Sequence, residues 1–175
     1  MVNIEKRLKG GHPNSLGNTV AIVEEVLADN SLFDKLFNCY FSEDEIVRLR
    51  VSSAMKRICK AKIELLLPYL DRFINEISLI NQPSTKWTLA QLFELFEVHL
   101  NSNQLNKAKT IVKINLETET DWIVLNTSTH TLAKWSQEDS ELKNWIIPKL
   151  KQLINDDRRS VSNRAKKYLN KLENK

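Results

Sequence analysis

Apolar residues recur at intervals of three and four along almost the whole chain. In "SEDEIVRLRVSSAMKRI" (42–58) they are Ile46, Val47, Val51, Ala54, Met55 and Ile58, which form one stripe of an amphipathic helix. Strict apolar/polar alternation is absent. So are the glycine pairs that close hairpins, since Gly10, Gly11 and Gly17 all precede residue 18. The pattern predicts an all-α chain of nine helices, at 18–29, 31–41, 43–60, 63–79, 83–97, 102–116, 119–136, 138–154 and 157–173. Polar start signals divide them. Ser42 with Glu45 three residues later fits a capping box, and acids in the first turn complement the helix dipole. Asp44 and Arg48 are spaced to pair one turn apart. "NSNQ" at Asn101, "TETD" at Thr118, "SQED" at Ser136 and "DDRRS" at Asp156 mark further starts. Pro68 and Pro148 each lack an amide and are expected to bend or restart a helix.

The pattern also repeats. "VRLRVSSAMKRI" from Val47 aligns with segments beginning at Thr85, Val124 and Val161, at offsets of 38, 39 and 37. Four columns stay mainly apolar: Val47/Thr85/Val124/Val161, Val51/Leu89/Ser128/Ala165, Met55/Phe93/Leu132/Leu169 and Ile58/Phe96/Trp135/Leu172. A near-constant offset with a shared pattern implies stacked helix pairs, each burying its apolar side against the next.

Two short motifs give this array a family likeness. "LLLPYL" (65–70) and "WIIPKL" (145–150) are similar to the Leu-Leu-Pro-x-Leu of a HEAT first helix, and "DEIVR" (44–48) to the Asp-x-x-Val-Arg that opens a second helix. Residues 31–173 thus resemble HEAT repeats. The resemblance implies an α-α superhelix of about four helix pairs with an extra N-terminal helix, and second helices that line a concave side. Repeat three keeps Asp121 and Val124 but has Leu125 where the motif has arginine, and repeat two has Gln82 and Lys86. Tetratricopeptide and ankyrin signatures, which carry glycine, are missing. The lead-in at 1–17, with "GGHP", reads as a flexible segment or as one that folds back over a groove; 18–175 reads as the repeat domain.

Composition agrees with a folded helical domain: 175 residues, 42% hydrophobic and 27% charged. No apolar run reaches the ~18 residues of a membrane span, and the N-terminus lacks a secretory pattern, so no membrane association is expected and the cytoplasm is the expected compartment. Cys39 and Cys59 form no C-x-x-C pair and read as reduced thiols. Net charge is only +4 but uneven. Arg48 to Lys62 holds six basic residues and no acid, and Lys143 to Lys175 holds ten basic residues against Asp156, Asp157 and Glu173.

No catalytic constellation accompanies the charge. His12, His99 and His130 lack a second ligand at metal spacing, and no phosphate-binding or nucleophile motif occurs, so neither an enzyme nor a cofactor is expected. What remains is the stripe of the second helices opposite the core: Arg50, Ser53, Arg57; Thr88, Gln91, Leu95; Thr127, His130, Lys134; Arg164, Lys167, Lys171. It contains no acid. At sequence level this is either a partner groove or a solvated face that happens to be basic. The groove reading nominates Arg50, Arg57, Gln91, His130, Lys134, Arg164, Lys167 and Lys171 as partner-binding. The expected partner is a protein or acidic peptide. Nucleic acid is the alternative, because DNA alkylation repair glycosylases are also HEAT-like solenoids with a basic concave face.

Overall fold

The computed structural model describes residues 3–12 and 14–174. The chain is all-α, and among the described residues it contains no strand. It divides into two compact units, Met1–Leu100 and Asn101–Lys175. No helix among the described residues is long and apolar enough to cross a membrane.

The first unit holds α1 (Ile4–Leu8), α2 (Thr19–Ala28), α3 (Phe33–Asn38), α4 (Glu45–Ala61), α5 (Leu70–Asn75) and α6 (Pro83–Phe96). The long helices α4 and α6 pack against each other, and α2 lies on α4. Short 3-10 turns flank α3 on both sides. They also break the segment expected as one helix at 63–79, where turns at Ile63–Leu65 and Leu67–Tyr69 precede α5. Pro68 sits in the second of these turns, where its missing amide is harmless. Phe37, Tyr69 and Phe73 stack there, with ring centroids 4.7–5.1 Å apart, and Arg72 lies 4.5 Å over the Phe37 ring.

The second unit holds α7 (Ser102–Thr118), α8 (Trp122–Trp135), α9 (Ser140–Leu153) and α10 (Arg159–Glu173). α7 packs on α8, α9 on α10, and α8 on α10. Lys109 reaches Asp139 at 2.6 Å and Glu117 reaches Lys149 at 2.9 Å, so the first helices are tied by ion pairs. Pro148 lies well inside α9, and the helix runs through it.

The nine expected helical spans coincide with α2 to α10 and their flanking turns; α1 was not expected. The sixteen residues of the four repeat columns are all buried, from Val47 at 0% exposure to Leu169 at 7%. This includes Thr85 and Ser128, whose hydroxyls are buried without a hydrogen bond.

Helix starts use short polar caps, with one correction. Asn101 and Gln104 form a full capping box on α7, and Asp121 and Asp139 cap α8 and α9. At α4 the cap is Asp44, which accepts from the Ile46 amide, and not the expected Ser42–Glu45 box. The Ser42 hydroxyl is committed elsewhere: it donates to Glu5 of α1 at 2.8 Å. Arg48 likewise turns from Asp44 to Gln82, 2.6 Å from Nε, while the Gln82 amide donates to the Glu45 carbonyl. Gln82 therefore bridges the starts of α4 and α6.

The lead-in expected to be flexible carries α1, whose Ile4 and Leu8 are buried. Arg7 forms a two-pronged bond to Glu25 at 2.6 and 2.7 Å, which fixes α1 to α2. Of that lead-in, Met1, Val2 and Pro13 lie outside the described residues. Among the described residues a positive φ occurs only at Gly10, Gly11 and Gly17.

Candidate functional site

The helical register of α4 puts Val47, Val51, Met55 and Ile58 inside, which was expected to leave Arg50, Ser53 and Arg57 on the outer stripe. The structure corrects this for Arg50, which is 2% exposed. Its guanidinium donates to the carbonyls of Leu8 and Gly10, both at 2.6 Å, and of Ser15 at 3.2 Å. The N-terminal segment thus wraps Arg50 in carbonyl dipoles. This is an internal fastening and leaves the residue no surface for a partner. Thr88, the equivalent position on α6, is also buried. Arg57 remains exposed on α4, and Gln91 is half-buried on α6.

On the second unit the stripe survives. Arg164, Lys167 and Lys171 are all exposed on α10. Their spacing of three and four residues places them on one face. None makes a hydrogen bond or ion pair with the described residues. The only acid of α10, Glu173, pairs with Lys151 at 3.1 Å. Lys134 is exposed on the neighbouring α8. His130, one turn before Lys134, is half-buried: its Nδ1 meets the Tyr168 hydroxyl in a hydrogen bond, and the rings lie edge-to-face at 5.7 Å. That contact joins α8 to α10. It makes His130 part of the support.

The charge balance also favours this unit. From Asn101 onward there are fourteen Lys and Arg against nine Asp and Glu, so the second unit carries +5 and the first unit −1. Several cations outside the stripe are spent on structure. Lys113 lies 4.6 Å over the Trp145 ring, Lys109 and Lys149 are paired, and Arg158 holds Asp156 and the Thr120 carbonyl. The guanidinium beside Asp156 holds its carboxyl below the usual range.

Among the described residues no three of His, Cys, Asp and Glu come together as a metal site. Cys39 and Cys59 are buried thiols, and burial pushes each up to about 11, so neither has a reactive thiolate character. One further cation was missed by the stripe argument. Lys56 on α4 is half-buried beside Trp87, and its only signal in the sequence is the acid-free run from Arg48 to Lys62.

No protein-family model matches the chain, and no curated protein matches it.

Proposed function

We propose that this protein is a non-enzymatic interaction module of the HEAT type, and that the α8–α10 face of its second unit binds an acidic protein segment. One observation carries the reading: Arg164, Lys167 and Lys171 form an exposed row of cations with no carboxylate among them and no internal partner. Unpaired surface charge on α10 offers long-range steering and a rigid row of donors for an extended acidic chain. Cys39 and Cys59 as buried free thiols support a reducing compartment, and in this reading the protein acts in the cytoplasm.

An acidic peptide fits this face better than nucleic acid. Base stacking needs an exposed aromatic among the cations, and on α10, which carries the cation row, the aromatic Tyr168 is buried with its hydroxyl engaged by His130.

The test is fluorescence anisotropy of the full chain with a labelled oligoglutamate peptide and, separately, a labelled duplex. The peptide is expected to bind, and Arg164→Glu/Lys167→Glu/Lys171→Glu is expected to abolish binding with unchanged helicity. Preference for the duplex, with affinity falling about 10³-fold or more between ~50 and ~200 mM salt, would move the reading to nucleic acid. A peptide that binds the triple variant as well as the wild type would end the assignment of this face.

A further inference from the structure

We propose that the cleft between α4, α6 and the N-terminal segment binds a small monocarboxylate with an apolar body. This site lies wholly in the first unit and does not depend on the basic face of the second. The cleft measures about 220 Å³. That is below the range of pockets for drug-sized ligands and of a size for a small aromatic acid.

Its chemistry is one-sided. Lys56 lines it and has no hydrogen bond or ion pair with the described residues. Arg50 forms part of the same wall; carbonyl dipoles satisfy its donors, but no carboxylate cancels its charge. Among the described residues no acid lines the cleft. Burial, with Lys60 and Arg57 beside it, lowers the Lys56 pKa, as expected of an ammonium that has lost water and gained no counter-charge. An entering carboxylate supplies that counter-charge where low-dielectric walls strengthen it. The Ser53 hydroxyl lines the same cleft and has no hydrogen-bond partner among the described residues, so it offers a donor for the second carboxylate oxygen.

The rest of the lining sets the body of the ligand. Trp87 presents a half-buried ring, with Leu16 and Leu49 alongside. A bare anion would leave these surfaces wet, whereas a flat apolar body covers them. With one unpaired ammonium in its lining, the site suits a single negative charge better than the two of a phosphate dianion.

The N-terminal segment supplies the third wall, through Asn14, Ser15 and Leu16. Arg50 holds that wall in place through the Ser15 carbonyl, so the clamp that removes Arg50 from the surface also builds the site.

Benzoate is the probe, benzamide its neutral counterpart, and inorganic phosphate the bare anion. The full chain is treated with an amine-reactive reagent, and modification of Lys56 and Lys60 is mapped by mass spectrometry across a benzoate titration. Benzoate is expected to bind with a Kd on the order of 1–10 mM, the range for so few atoms. At ten times Kd it should slow modification of Lys56 by on the order of ten-fold and leave Lys60 unchanged. Benzamide and phosphate should give little protection. Tryptophan fluorescence should respond to benzoate in the wild type and in Lys56→Arg, and fail to respond in Lys56→Met and Trp87→Phe. Unprotected Lys56 at about 50 mM benzoate, well above that Kd range, would overturn the proposal. Equal protection by benzamide would remove the role of charge, and equal protection by phosphate would remove the role of the apolar wall. Because the footprint is read on the wild type, the outcome stands even if a variant fails to fold.

Discussion

Gly17 stands so close to Arg50 that a Cβ on it would lie 2.9 Å from the guanidinium carbon. Its φ of 51° is also one that side-chain-bearing residues adopt rarely. Gly17→Ala therefore meets two penalties, and we expect a loss of about 2–3 kcal/mol. Gly10→Ala is the control. Its φ is 74° but nothing lies within 4 Å of the added carbon, so only the backbone penalty of about 1 kcal/mol applies. Urea unfolding of both variants measures the difference, and equal losses would show that the close approach to Arg50 carries no energy.

Arg50→Met keeps much of the volume and removes the donors. The carbonyls of Leu8, Gly10 and Ser15 would lose their charged partner, at about 2–3 kcal/mol in total stability. The effect should be local first. Amide exchange in α1 should speed up far more than exchange in α6, and uniform acceleration would mean that the segment is held by other contacts.

Leu89 and Leu132 occupy neighbouring core columns of the repeat, one in each unit, at 1% and 0% exposure. Leu89→Asp and Leu132→Asp each bury a charge with no partner, at about 3–5 kcal/mol. Circular dichroism should show loss of helix in both variants. Full retention of helicity by either would contradict the core assignment at that position.

Asp139 caps α9 through the Leu142 amide and pairs with Lys109. These two contacts, the amide bond first, hold its carboxyl below the usual range. The folded state then binds this proton less readily than the unfolded chain. The stabilisation is present above the unfolded value of about 4 and disappears as pH falls through the lowered folded value. Asp139→Ala should cost about 1 kcal/mol at pH 7. The deficit should shrink as the pH is taken below about 4. A deficit independent of pH would assign the loss to packing alone.

The core was legible in the sequence because it depends on periodicity alone. A spacing of three and four, kept at offsets near 38, locates Val51, Leu89, Ser128 and Ala165 without any long-range information. What could not be read depends on who meets whom across the chain. Arg50 sits on the outer stripe by register, yet its acceptors lie 35 to 42 residues upstream in a segment with no apolar period. Ser42 shows the same effect in miniature: its local partner Glu45 was apparent, but Glu5 takes the hydrogen bond. α1 is five residues long, too short for a period to declare itself, and it is fixed by Arg7–Glu25 and by two buried side chains. At Arg164, Lys167 and Lys171 on α10 no such distant contact intervenes, and all three are exposed as the register puts them.

From Asn18 to Asn174 every φ is negative, so no turn in that stretch demands a particular residue type. Such a backbone has no need of glycine's freedom there, and its residues answer to packing and capping alone.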